Sequence, residues 1–156
     1  MEHVLLSVHV LASIVFVGGA TVATSLFPRY APVAEPVPAA PPGAAAPEDG
    51  RSRKVALSLH RMTRVYSILG VIVPMAGIAL AIAQGRMGEI WITVSMALTA
   101  AAGVLLAWQI YPRQRRALRE PGDQRALSGL STVTGLFNLL WAAVVVLMIV
   151  RPGDHA

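Results

Sequence analysis

LSTVTGLFNLLWAAVVVLMIV, residues 130–150, is a run of 21 residues without one Asp, Glu, Lys or Arg. At about 1.5 Å of rise per residue, a helix of that length covers roughly 31 Å, the thickness of a bilayer's hydrocarbon core. The surface helix of a soluble protein keeps a polar stripe, whereas this segment is apolar all round. Three more uncharged runs lie at residues 4–26, 65–83 and 90–110. The shortest of them has 19 residues and still reaches roughly 28 Å. The expected fold is all-α, a four-helix transmembrane bundle forming one integral membrane domain over residues 1–156.

Composition points the same way. Hydrophobic residues make up 55% of the chain and charged residues 13%, against about 25% charged in a soluble domain. A soluble protein of this size would need a charged shell, and the charges here fall in clumps between apolar runs. The chain has no cysteine, which excludes disulfides, thiolate metal sites and cysteine nucleophiles. The net charge of +5 would raise the question of nucleic acid in a soluble protein. Here the cations have a topological explanation, and no nucleic-acid partner is expected.

Eleven of the thirteen cations lie in two loops. Arg29, Arg51, Arg53, Lys54, Arg61 and Arg64 fall in residues 27–64, and Arg113, Arg115, Arg116, Arg119 and Arg125 in residues 111–129. Only Arg86 and Arg151 fall on the opposite side. The positive-inside rule puts the two basic loops in the cytoplasm and both termini outside. A cleaved signal peptide needs a positively charged start, and residues 1–3 are Met-Glu-His. A reverse-oriented anchor fits better, with Glu2 outside and Arg29 at the inner end.

Residues 28–50 hold seven prolines and many alanines, with no helical period. Such a stretch cannot offset the entropy of ordering and reads as a flexible, partly polyproline-II linker. Beyond it, Val55, Leu59 and Met62 share one helical face, with Arg53, His60, Arg61 and Arg64 opposite. That pattern predicts a short interfacial helix before helix 2, its cations at the anionic inner-leaflet headgroups. Phe27-Pro28-Arg29 and Tyr111-Pro112-Arg113 each place an aromatic, a helix stop and a cation at an inner boundary. They are expected to close helices 1 and 3, either as relics of a duplicated hairpin or by the same physical demand met twice. Pro74 lies midway along helix 2 and should kink it, as a hinge or a fixed bend.

Transmembrane helices associate through small residues that let backbones approach. Gly18, Gly19 and Ala23, then Gly70, Gly77 and Ala81, then Ala97, Ala101, Gly103 and Ala107, and finally Gly129 and Gly135 supply them. These spacings suit a compact bundle and leave room for a second copy as partner.

An ionisable residue inside a membrane is a functional candidate by default, and His9 is the one within these spans. It reads either as a cofactor ligand for haem or copper or as a neutral imidazole bonded to a neighbouring helix. His60 belongs at the opposite end of the spans, about 25 Å of helix axis away, too far for a shared ligand set. His3 and His155 share the outer side with His9 but lie near the chain ends. Asn138 in helix 4 reads as interhelical glue, and Ser7, Ser13, Thr21, Thr24, Ser95, Thr99 and Thr134 can bond their own helix carbonyls. No span holds a charged relay residue, which argues against an ion pump or proton-coupled transporter. There is no GxxxxGK[ST], HExxH or GxSxG motif, so no enzyme and no catalytic residues are expected.

Several segments resemble a set of small bacterial integral membrane proteins of unknown function. They are His9-Val10-Leu11 with Phe16-Val17-Gly18-Gly19, His60-Arg61 with Arg64-Val65-Tyr66, Pro112-Arg113-Gln114-Arg115-Arg116, and Leu147-Met148-Ile149-Val150-Arg151-Pro152. The set is similar to the DUF2269 group and, more remotely, to CopD-like copper-resistance membrane domains. The resemblance implies a bacterial cytoplasmic (inner) membrane location and, on the CopD-like side, haem or copper handling through membrane histidines, which this sequence matches at His9. The residues themselves imply a structural or accessory component, with another membrane protein or a second copy as partner. Small-solute transport by an oligomer is a third reading.

Overall fold

A computed structural model describes residues 2–33, 52–122 and 124–153. It contains seven α-helical pieces: α1 (Glu2–Ala12), α2 (Gly18–Tyr30), α3 (Arg53–Leu69), α4 (Ile72–Ala83), α5 (Ile90–Val104), α6 (Tyr111–Arg119) and α7 (Gln124–Val150). Wide π-helical turns at Ser13–Val17 and Leu105–Ile110 splice α1 to α2 and α5 to α6. The pieces merge into four helices long and apolar enough to cross a membrane, His3–Tyr30, Arg53–Ala83, Ile90–Arg119 and Gln124–Val150. The chain is an all-α, four-span bundle.

The first expected helix stop falls in the last turn of its helix, and the second is no stop. Pro28 sits buried inside the last turn of α2, which runs on to Tyr30 and closes with the Ala31 amide on the Phe27 carbonyl at 2.9 Å. Pro112 occupies the first turn of α6, directly after the π turn Leu105–Ile110. A proline inside a helix removes one donor and pushes its ring against the carbonyl four residues back. The π turn widens the helix just there, so the third span passes Pro112 and continues to Arg119. Residues 28–30 of the expected linker are therefore helical, while residues 34–51 lie outside the described part.

The basic stretch before the second span forms no separate interfacial helix. Ser52 caps α3, its hydroxyl accepting from the Val55 amide at 3.5 Å, and α3 runs unbroken from Arg53 to Leu69. Its buried stripe is Ala56, Leu59 and Thr63, whereas Val55 and Met62 are exposed. The break in this span falls at Gly70–Val71. Pro74 cannot donate to the Gly70 carbonyl, which takes the Val73 amide instead at 3.2 Å, one residue short of the α-helical partner. The irregularity thus appears in the turn before the proline.

The core gathers toward one end of the bundle, around Phe27, Leu59, Leu106, Ile110, Leu130 and Phe137. At that end the Arg53 guanidinium donates to the Leu118 carbonyl at 3.4 Å, and Val33 bridges to Gly122. The two basic loops therefore share one end of the molecule. At the other end Arg86 pairs with Glu89 at 2.5 Å, the Trp91 indole also bonds Glu89, and the Arg86 and Arg151 guanidiniums lie 5.9 and 5.8 Å from the Trp91 ring centre. The Arg151 contact holds the end of α7 against the start of α5, and the Arg86 contact folds the loop joining the second and third spans onto the same ring.

Gly19 lets α2 and α3 approach. A Cβ there would lie 2.6 Å from Tyr66 Cζ, so the Tyr66 ring rests on bare backbone. The expected small residues of the third and fourth spans behave differently. Ala97, Ala101, Gly103, Ala107, Gly129 and Gly135 are all exposed, and these three glycines have open space where a Cβ would point.

Candidate functional site

His9 is buried, and its Nδ1 donates to the Val73 carbonyl of α4 at 3.2 Å. The ring lies against Gly77, where an added Cβ would meet Cε1 at 3.0 Å. A histidine needs an acceptor in hydrocarbon, and the second span supplies a backbone carbonyl beside a glycine that leaves room for the ring. The Ser13 hydroxyl donates to the His9 carbonyl at 2.7 Å, at the start of the π turn.

His60 is held elsewhere. Its Nδ1 donates to Gln114 Oε1 at 3.1 Å, and its ring stacks on Tyr111 with centres 4.8 Å apart. Gln114 Nε2 donates in turn to Thr63 Oγ1 at 3.3 Å, and the Thr63 hydroxyl donates to the Leu59 carbonyl at 3.0 Å. Gln114 has no exposed surface at all. This chain of bonds ties α3 to α6, and it exists because the third span continues beyond Pro112. With His9 against α4 and His60 against α6, the two rings serve different helix pairs. No group of three or more His, Cys, Asp or Glu side chains converges among the described residues. His155 lies outside the described residues. His9 and His60 therefore do not form a two-histidine haem or copper centre.

Asn138 of α7 donates through Nδ2 to Ser25 Oγ of α2 at 2.9 Å, linking the fourth span to the first. Among the hydroxyls expected to bond their own helices, Ser7, Ser13 and Thr24 do so. Ser95 and Thr134 are exceptions: their buried hydroxyl oxygens, like Asn138 Oδ1 and Trp141 Nε1, have no hydrogen-bond partner among the described residues. A hydrogen bond of this kind between spans contributes about 0.6 kcal/mol, and up to roughly 1.7 kcal/mol. Asn138→Leu should therefore lower stability in detergent by about 0.6 kcal/mol and by no more than roughly 1.7 kcal/mol, measured by reversible denaturation.

All four spans meet around a cavity of about 110 Å³. Phe16 and Val17 come from the first π turn, Leu106 from the second, Gly70, Val71 and Pro74 from the break in the second span, and Trp141 from the fourth. The three departures from regular helix therefore border one space. Its walls are mostly apolar, with Tyr66, Ser67 and Thr99 contributing polar atoms. Sequence reading missed this convergence, and it missed Gln114 and Ser25. The signal for Gln114 was its spacing of four from both Ile110 and Leu118, which marks one helical face.

Comparison with protein-family models, curated proteins and solved structures finds no match to this chain.

Proposed function

We propose that this protein is an accessory component of a membrane, a compact four-span scaffold that docks laterally on another membrane-embedded chain. The observation that carries this reading is the outward face of the third span, where Ala97, Ala100, Ala101, Val104 and Ala107 are all exposed. Lipid-facing positions are ordinarily filled by large apolar side chains, and small ones concentrate where helix meets helix. The polar side chains of the spans support the scaffold reading, since His9, Asn138 and Gln114 each join one helix to another. The two basic loops at one end support a cytoplasmic placement of that end, with the termini outside and the cations at anionic inner-leaflet headgroups.

Purification in mild detergent tests the reading. The protein should run as a complex, with a second copy or another membrane chain retained, and Ala101→Leu should release that partner while leaving helix content unchanged. A strictly monomeric wild-type preparation would refute lateral docking. A Soret band or stoichiometric copper that disappears in His9→Ala would replace this reading with a cofactor-binding one. Orientation is checked separately. Reporter fusions after Arg119 and after Gly153 should report cytoplasmic and external positions respectively, and the reverse pattern would overturn the orientation.

A further inference from the structure

The uninterrupted third span carries its arginines at a fixed depth, and that placement makes a site. Tyr111, Pro112, Arg115 and Arg119 recur at spacings of three and four along one face of α6, and Trp108 precedes them in the π turn. Trp108 is 75% exposed, the position of an interfacial indole. Arg115 follows it by about 10 Å of helix axis and Arg119 by about 16 Å. Because Cα–Cβ bonds tilt toward a helix N-terminus, both side chains lean back toward the bilayer. They line a shallow cleft of about 470 Å³ with Tyr111, Pro112, Arg116 and Glu120.

The charge in that cleft is unbalanced. Arg116 lies 3.8 Å from Glu120, with both side chains largely exposed, so the pairing is loose. Arg115 and Arg119 have no carboxylate partner among the described residues. Guanidinium groups present a planar fork of donors matched to phosphate oxygens. We infer that this cleft binds the phosphodiester of an anionic phospholipid, with Trp108 against the upper acyl chain and Arg115 and Arg119 on the headgroup. The inference rests on the reading that the basic end faces a membrane surface. It deepens that reading from a general attraction to a located site.

The test uses the full chain reconstituted in phosphatidylcholine vesicles containing a minor fraction of phosphatidylglycerol. In matched preparations the acyl-chain bromine label is carried by one lipid or the other at equal mole fraction. The quenching assigned to Trp108 is the part lost in Trp108→Phe. Brominated phosphatidylglycerol should quench it at least about threefold more effectively than brominated phosphatidylcholine, below the roughly fivefold that one surface arginine can supply. The double variant R115Q/R119Q should bring the ratio to about one, while R61Q/R64Q, equal in charge and also exposed, should leave it unchanged.

Equal quenching by the two lipids in the wild type overturns the proposal without reference to any variant. Loss of the preference in R61Q/R64Q also overturns it, since the whole positive face would then be responsible. Loss on adding inorganic phosphate, but not sodium chloride of the same ionic strength, would identify a free anion as the occupant and reject the lipid. Because both leaflets have the same composition, the vesicle result is independent of the fusion-reporter orientation, and either can fail alone.

Discussion

Replacing Gln114 with alanine should destabilise the detergent-solubilised protein by about 3 kcal/mol, measured as a lowered midpoint in reversible denaturation followed by helix signal. Gln114 has no exposed surface, accepts from His60 and donates to Thr63. Its removal leaves the His60 Nδ1–H without that acceptor and opens a void between α3 and α6. Gln114→Leu keeps most of the volume and loses only the bonds, so its penalty should be smaller, about 2 kcal/mol. Equal midpoints for wild type and Gln114→Ala would show that water or a shifted helix satisfies His60, and the polar chain would then not join the two helices.

His9→Ala is the parallel case at the other end of the bundle. It removes the bond to the Val73 carbonyl and empties the space beside Gly77. Gly77→Ala alone should also be unfavourable, because its Cβ would sit 3.0 Å from the imidazole. In the double variant His9→Ala with Gly77→Ala that crowding is relieved. The two penalties should therefore combine to less than their sum, by about 0.5 kcal/mol or more. Strict additivity would mean that the ring does not occupy the place described.

Why some of this was legible in the sequence and some was not follows from where the forces act. The four spans were legible because solvation by hydrocarbon excludes charge from about 20 consecutive residues, a property of each segment alone. The shared end of the two basic loops was legible for the same reason, since charge that cannot enter the bilayer must collect outside it. The helix end was misread at Pro112 because proline's local preference is to stop a helix. What overrides it is nonlocal: α6 is held to α3 by the Gln114 side chain and the Leu118 carbonyl, whose partners lie 51 to 65 residues earlier in the chain. Of the small residues, Gly19 and Gly77 meet a neighbouring side chain within the bundle, whereas a Cβ on Gly103 or Gly135 would point into open space. Composition says that a residue permits close approach, and only the assembled bundle says which face is used. His9 was visible as an intramembrane histidine, but its partner is a backbone carbonyl, which every residue possesses and no sequence pattern marks.

Two adjacent glycines offer the sharpest contrast in the protein. Gly18 is exposed with open space beyond it, whereas a Cβ on Gly19 would lie 2.6 to 2.8 Å from three atoms of the Tyr66 ring. Gly18→Ala should be neutral or raise stability by up to about 1 kcal/mol, because alanine lowers the entropy lost on forming the helix. Gly19→Ala gains the same helical preference but must drive α2 away from α3, or turn the Tyr66 ring out of its seat beside the central cavity. Overpacking of this kind costs about 1–3 kcal/mol, and Gly19→Leu should reach or exceed the top of that range. The opposite signs at neighbouring positions separate packing from propensity, since any change in helix tendency or detergent uptake would act on both alike. Tyr66→Leu supplies the second arm, as a smaller side chain should accept the added methyl, making Gly19→Ala less harmful in that background than in the wild type. If Gly19→Ala proves as benign as Gly18→Ala, the two helices do not approach through this glycine, and the packing that seats Tyr66 at the cavity wall would have to be abandoned.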